Sequence, residues 1–203
     1  MKELWIEVVG TYAILMNNPV GMSVVPDKPA GATTKPRNPT PAEEAESKCY
    51  RMASGQLYAK SEMFRSAMID AVTGLKYGSK VFAKPTLMGG LFDEQELCPL
   101  YDPETRAPIT EYEIDTRRAV VQGNGVSRSR AKVRRWACQV RFLYDPDTLT
   151  PELILDAAQR AGMRVGIMDF RPKPPPGPKS GKGGPFGRFS VALLLGGERV
   201  TAA

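Results

Sequence analysis

A run of basic residues in the second half of the chain offers the clearest chemistry. Eight of them, with no acidic residue between, lie from Arg117 to Arg141: Arg117, Arg118, Arg128, Arg130, Lys132, Arg134, Arg135 and Arg141. Four alternate with small or apolar residues between Arg128 and Arg134, so a β-strand would place these four on one face. Same-face neighbours on a strand lie roughly 6.6 Å apart, close to the spacing of phosphates along an extended single strand. The pattern predicts contact with a nucleic-acid backbone. The alternative is a charged edge strand that prevents aggregation.

The stretch KSGKGGPFGRF, residues 179–189, brings glycines and basic side chains together. It is not a nucleotide P-loop, because Pro176 occupies the place of the first glycine and Gly183 that of the Ser or Thr. Backbone amides without side chains approach phosphates closely, so the segment predicts a phosphate-binding loop, although a merely flexible loop is the alternative. Its candidate residues are Lys179, Gly181, Lys182, Gly183, Gly184, Gly187 and Arg188.

Other chemistries find less support. The chain has no histidine, which removes Ser-His-Asp hydrolysis, Cys-His hydrolysis and most zinc catalysis. Glu111, Glu113 and Asp115 alternate and would share one strand face, where they either hold Mg²⁺ for phosphodiester cleavage or pair with arginines. We predict no catalytic residue, no metal site and no cofactor, and we keep a metal-dependent nuclease as an alternative. Tyr50, Tyr58, Tyr77 and Phe186 are candidates to stack on bases, whereas Trp136 is assigned to the core.

Composition agrees with a polyanionic partner. The 203 residues carry 28 Lys and Arg against 22 Asp and Glu, a net charge of +6, and 42% of them are hydrophobic. Three cysteines at wide spacing, without a recognisable signal peptide, predict reduced thiols in a cytoplasm. No apolar run is long enough to cross a membrane, so no membrane partner is expected.

The elements that would position these residues follow from periodicity. Residues 2–9 alternate as a half-buried strand, and helices are predicted from Ser61, as N-cap, to 77 and from Thr150 to Gly162. A short helix is predicted from Thr40 to near Cys49. Strands are predicted within 50–59, 80–92, 111–121, 126–144, 163–170 and 188–196, and a surface loop at 93–108. A Gly-Asn-Gly turn at 123–125 makes 117–136 a basic hairpin.

This order predicts an α+β fold, a ferredoxin-like sandwich of the kind shared with the RNA-recognition motif, over a single domain of residues 1–203. A flexible proline-rich excursion is expected at 17–41 and a Lys/Pro/Gly-rich loop at 171–187.

Three stretches stand out together: the first strand running into TYAILMNNP, the segment SEMFRSAMIDA, and GPFGRFSV near the end of the chain. They resemble the repeat-associated mysterious protein (RAMP) superfamily, which includes backbone and processing subunits of CRISPR effector complexes. The resemblance implies ferredoxin-like domains with a C-terminal glycine-rich loop, and RNA bound across the sheet and beside a thumb-like hairpin, here 118–135. It adds Arg65 and Ser66 as backbone contacts, and Lys76 and Lys80, close by in sequence, are further candidate contacts with the nucleic acid. No histidine is present for the processing-nuclease role, and the chain is short for a backbone subunit, so a stand-alone or phage-encoded relative fits as well.

The sequence therefore predicts a non-catalytic protein that binds single-stranded RNA or DNA through its phosphates. Self-association along the strand is a secondary expectation. A third reading is a structural or inhibitory module whose basic hairpin docks on an acidic protein surface.

Overall fold

A computed structural model describes residues 1–22, 39–77, 80–81, 84–121, 124–172, 183–195 and 198–200. Four α-helices lie in these ranges: α1 Pro41–Ser47, α2 Ser61–Ala71, α3 Lys84–Gly90 and α4 Pro151–Arg164. The first six strands are β1 Lys2–Gly10, β2 Ile14–Leu15, β3 Tyr58–Lys60, β4 Lys76–Tyr77, β5 Lys80–Val81 and β6 Leu91–Asp93. The others are β7 Leu97–Pro99, β8 Glu113–Val121, β9 Asn124–Val133, β10 Ala137–Tyr144, β11 Phe189–Leu195 and β12 Glu198–Val200. The α+β class is confirmed.

The largest sheet contains five antiparallel strands in the order β12-β11-β1-β10-β6. Its central strand β1 alternates as the sequence predicts: Leu4, Ile6 and Val8 are buried, and Glu3 and Trp5 are exposed. The buried side chains join one hydrophobic core with residues of α2 and α4, such as Phe64 and Ile154. The two long helices thus cover the apolar face of this sheet.

The ends of the helices show why they begin and stop where they do. The Thr150 side chain accepts a hydrogen bond of 3.4 Å from the Leu153 N–H, and Pro151 follows at the first helical position, as predicted. Ser61 is not the N-cap of α2. It is the first helical residue, and its hydroxyl donates to the Gln95 carbonyl instead. Gly162 does not end α4 either, because the helix continues to Arg164.

A second sheet of three strands, in the order β2-β9-β8, is continuous with the first along two chain segments. β1 leads into β2, and β9 leads into β10. The pair β1–β10 of the first sheet is therefore connected directly to the pair β2–β9 of the second. The predicted single strand 126–144 is therefore broken at residues 134–136. Trp136 is fully buried at this bend, where its indole N–H donates to the Tyr12 carbonyl at 2.9 Å. The basic hairpin β8–β9 is an extension of the central strands of the main sheet.

Several local predictions were wrong. Part of the predicted strand 80–92 is helix α3, and the predicted surface loop 93–108 contains β7 and the fully buried Leu100. The two predicted strands of 50–59 are joined by the bridge Arg51↔Leu57 and by backbone hydrogen bonds from Tyr58 to Tyr50 and from Met52 to Gln56, but the extended strand is β3, which pairs with β7. Residues 163–170 form the end of α4 and a turn, because long-range contacts override the apolar run MRVGIM.

Glu7 points to the face of the sheet away from the helices, yet it is only 2% exposed. The turn at 101–108 covers it: the Tyr101 hydroxyl donates to Glu7 Oε1 at 2.8 Å, and Arg106 forms an ion pair with the same oxygen. Burial, together with the hydrogen bond to this carboxylate, raises the pKa of Tyr101 above its ordinary value. The alternation of β1 predicted the face of the sheet on which Glu7 lies, but not that the turn at 101–108 buries it.

Most of the predicted excursion 17–41 and of the loop 171–187 lies outside the described residues, as do residues 122–123 of the hairpin tip. Across the ranges described, no helix combines the length and the apolar character needed to cross a membrane.

Candidate nucleic-acid interface

One face of the hairpin carries three cross-strand pairs of charged residues. Glu113 lies opposite Lys132, Asp115 opposite Arg130, and Arg117 opposite Arg128. The predicted alternation from 128 to 132 is thus realised on β9, and Arg134 follows just beyond the strand. The third pair consists of two cations directly opposite one another, an arrangement that destabilises a sheet unless anions lie nearby.

Acidic residues from neighbouring elements pair with most of these cations. Glu113 lies 3.6 Å from the Lys132 ammonium and 2.5 Å from the Arg134 guanidinium, and Asp115 pairs with Arg117. These hydrogen bonds lower the pKa values of Glu113 and Asp115. Two of the three carboxylates of the nuclease alternative are therefore engaged by cations, and the third, Glu111, is exposed. No group of three or more metal-ligating side chains exists in the described part of the chain.

Arg130 differs from its neighbours because it is buried, with 8% of its surface exposed. Its Nε lies 2.5 Å from Asp169 Oδ2, and its guanidinium lies 4.9 Å from the centre of the Phe170 ring. A cation held in this way contributes to packing, so removing Arg130 would leave Asp169 without its partner. The sequence placed Arg130 in an exposed row, because the segment that covers it follows nearly forty residues later.

Arg128 shares an anion with two other donors. The Glu44 carboxylate of α1 accepts from Lys48, from Arg128 at 3.3 Å and from the Ser129 backbone N–H at 2.8 Å. This N–H lies on the edge of β9 beyond the point where β2 stops pairing. Glu44 thus anchors α1 to the hairpin. Burial alone would raise its pKa, but these hydrogen bonds outweigh burial and lower it below 4.5.

The anchoring carboxylate predicts a pH dependence of stability. Because the folded-state pKa of Glu44 lies below the unfolded value of 4.5, its contribution is complete above that pH and is lost as the pH falls further. We expect the free energy of unfolding to decline below about pH 4.5 and the slope to be shallower in Glu44→Gln, measured by urea denaturation. Glu104→Gln is the matched control, because the Glu104 side chain is 76% exposed. An unchanged slope in Glu44→Gln would contradict the prediction.

The ends of the glycine-rich loop pack beside this hairpin face. The Gly187 N–H donates to the Ala13 carbonyl at 2.8 Å, and the Ile167 N–H donates to the Gly187 carbonyl at 3.0 Å. A Cβ on Gly184 would lie 2.5 Å from the Phe170 carbonyl oxygen. Gly184 and Gly187 thus allow close approach of two backbone segments. Gly183 and Arg188 are exposed, whereas Lys179, Gly181 and Lys182 lie outside the described residues.

An exposed tyrosine lies among the arginines. Tyr12 is 44% exposed and meets Phe186 edge to face with ring centres 5.3 Å apart, and the Arg117 guanidinium lies 4.6 Å from the Phe186 ring centre. Electrostatic interaction with Tyr12 contributes, after the carboxylate partners, to the raised pKa values of Arg117 and Arg134. We call Tyr12, Arg117, Arg128, Lys132 and Arg134 the basic patch.

Sequence reasoning missed Tyr12 and overrated other aromatics. Tyr50 and Phe186 are buried, Tyr58 is half-buried, and the side chain of Tyr77 is outside the described set, whereas Trp136 is buried as predicted. The sequence position of Tyr12 could have indicated its role. It lies two residues beyond the end of β1, where the central strand of the sheet ends and the chain turns towards the hairpin.

The remaining predicted site residues lie in different surroundings. Arg65 donates to the carbonyls of Leu91 at 2.6 Å and Met88 at 2.7 Å, so its guanidinium supports the α3–β6 junction. Ser66 and Arg118 are exposed, and Arg135 pairs with Glu104 at 2.8 Å and Asp102 at 3.4 Å. Lys76 lies opposite Val81, and Lys80 lies opposite Tyr77, in a two-stranded ribbon. The structure thus brings together the predicted residues of the hairpin and of the loop ends. Helix α2, which carries Arg65 and Ser66, lies on another side of the turn at 167–171.

No protein-family model matches the sequence, and a search of curated proteins finds no match.

Proposed function

We propose that this protein binds single-stranded nucleic acid without cleaving it, holding phosphates on the basic patch and one or more bases against Tyr12. The observation that carries the proposal is the exposed ring of Tyr12 among cations of one hairpin face. Aromatic rings interleaved with basic side chains are the usual means of binding a strand regardless of its sequence. The unfavourable Arg117–Arg128 pair favours an anionic ligand for the same reason.

The paired carboxylates make the basic patch selective for dense negative charge. A phosphate must displace Glu113 or Asp115 from an arginine, and neighbouring phosphates of a strand do so at several positions together. Arg128 also requires exchange with Glu44. Arg118, Gly183 and Arg188 are exposed, and in our proposal they add further phosphate contacts. A docking role on an acidic protein surface has no comparable support, because it leaves the exposed aromatic ring unexplained.

We further propose a ferredoxin-like topology and a relationship to the RAMP superfamily. The support is the order of elements: β1, α2, β6, β10, α4 and β11 follow one another as β-α-β-β-α-β, and the corresponding strands lie side by side as β11-β1-β10-β6. The hairpin β8–β9 is inserted between the second and third of these strands, where the thumb-like hairpin is expected. Association of copies along a strand belongs to this proposal.

The test is binding of labelled single-stranded RNA and DNA of equal length and sequence at about 50 and 300 mM salt. Five phosphate contacts, from the four cations of the basic patch and Arg188, predict a slope of log affinity against log salt of roughly −3.5 for a single strand. The affinity should therefore fall by roughly 500-fold between the two conditions. An affinity that hardly changes would contradict the proposal, and the ratio of RNA to DNA affinity would identify the strand that the protein prefers.

A further inference from the structure

A cleft of about 330 Å³ opens between α2 and the turn that follows α4, on the other side of that turn from the basic patch. Tyr50, Met63 and Met168 supply apolar wall surface, and Asn17, Glu62 and Ser66 supply polar groups. Its volume is at the lower limit for small-molecule sites, and apolar walls with a few polar groups are typical of such sites. None of the interactions described above for the hairpin fills this cleft.

The wall formed by the turn is held in an unusual conformation. Met168 and Phe170 have φ angles of 62° and 52°, in the left-handed region that non-glycine residues rarely adopt. Between them, the Asp169 N–H donates to the Leu15 carbonyl at 3.1 Å, and the Asp169 carboxylate pairs with the buried Arg130. Such strain persists only where surrounding contacts impose it, and it is concentrated at ligand sites.

The same ion pair connects the cleft with the hairpin. Arg130 lies on β9 between Arg128 and Lys132 of the basic patch, and its partner Asp169 lines the cleft. The Arg130 Nη1 atom is buried and has no hydrogen-bond partner in the described part of the chain. A nucleic-acid strand bound to the basic patch is therefore separated from the cleft by the Arg130–Asp169 ion pair.

The charges of the lining select what enters. Asp169 is paired with Arg130, so Glu62 and Arg171 are the remaining charged side chains of the lining, and the cleft offers no excess of positive charge to a phosphate. A neutral ring needs no such charge and gains contact with the aromatic and thioether walls. Carboxylates accept hydrogen bonds from the exocyclic amino groups of bases, as in the pairing of Glu or Asp with cytosine.

We propose that the cleft receives one unstacked nucleobase of the bound strand and favours bases with an exocyclic amino group, such as cytosine, over uracil. The inference rests on the proposed function, since the phosphates on the basic patch bring the base to the cleft. Glu62 accepts from the amino group, and Tyr50, Met63 and Met168 enclose the ring. The cleft adds a modest base preference to binding that is otherwise independent of sequence.

The test couples a cleft-filling substitution to removal of bases. We would measure the affinity of the wild type for oligocytidine and for an abasic strand with the same number of phosphates, and repeat both with Met63→Trp. Met163→Trp is the matched control, because Met163 is 56% exposed on α4 and is not part of the cleft. Since a stacked base is worth about 1–3 kcal/mol, we expect the abasic penalty to shrink at least about 5-fold in Met63→Trp and to persist in the control.

Glu62→Gln gives an independent measure, because it should reduce the preference for oligocytidine over oligouridine while preserving the salt dependence. Ser66→Leu serves as a second filling variant at an exposed position if Met63→Trp does not fold, as judged by circular dichroism. An abasic penalty that is unchanged by filling the cleft, with salt-sensitive binding retained, would overturn this inference and leave the proposed function intact. Failure of the wild type to bind any strand would overturn both.

Discussion

Replacing Arg117, Lys132 and Arg134 together by alanine is expected to weaken binding of single-stranded RNA or DNA about 100-fold at about 0.1 M salt. Each phosphate contact releases about 0.7 counterion from a single strand, which corresponds to roughly a fivefold change in affinity at this salt concentration. The loss should be at least this large, because Glu113 and Asp115 stay behind and repel the strand. Fluorescence anisotropy over a series of salt concentrations measures both the affinity and its slope.

The matched control removes three cations elsewhere, with Lys2, Arg160 and Arg164 replaced by alanine. Arg160 and Arg164 lie on α4 and Lys2 begins β1, so net charge changes equally while the basic patch is preserved. Equal losses in the two triple variants would show that only net charge matters and would remove the basis for a defined site. Arg130 is left out of the first triple variant, because its burial against Asp169 would mix loss of binding with loss of stability.

Gly187→Ala is expected to destabilise the protein by about 3–4 kcal/mol. Gly187 has a φ of 72°, and a Cβ there would lie 1.9 Å from the Ile167 carbonyl oxygen. The left-handed conformation costs an alanine roughly 1–2 kcal/mol, and relieving the contact disrupts the hydrogen bonds of Gly187 to Ala13 and Ile167. Thermal unfolding should show a decrease in Tm of roughly 10 °C for a chain of this size.

Gly89→Ala provides the comparison for Gly187→Ala. Gly89 lies in α3, nothing lies within 4 Å of its would-be Cβ, and alanine is favoured in helices, so a slight stabilisation is expected. If Gly187→Ala unfolded like the wild type but bound a strand poorly, Gly187 would contact phosphate directly. The hydrogen bond from its N–H to Ala13 favours the structural role.

Local periodicity was enough for the elements that form the core. The alternation of β1, the Thr150-Pro151 start of α4 and the run of β11 follow from side chains that are adjacent in sequence. The surroundings of the basic residues could not be predicted in this way. Asp169 and Glu44 pair with β9 across 39 and 84 positions respectively, and no pattern within the hairpin indicates such partners.

The same limit explains the error at 163–170. Apolar residues in alternation favour a strand, yet the turn is imposed by hydrogen bonds to Leu15 and Phe186 and by the buried ion pair with Arg130. For the candidate site, the sequence identified the cations correctly as a group on one strand face. It offered pairing with arginines as an alternative for Glu113 and Asp115, which lie on the hairpin itself. It did not identify Tyr12, the more distant carboxylates Glu44 and Asp169, or the cleft, since each depends on segments that are distant along the chain.

The bend at Trp136 determines how an arm built from β8 and β9 can behave. A hairpin attached through a loose joint would have to be immobilised whenever it closed on a ligand, and the entropy lost would reduce affinity. Here β9 continues into β10 of the main sheet, its partner β2 follows β1, and a fully buried indole occupies the corner, so the orientation of the arm is fixed before a ligand binds. A force that a ligand exerts on the arm is therefore transmitted to the hydrophobic core. Slower amide hydrogen exchange in β1 and β10 on ligand binding would be the measurable sign of this transmission.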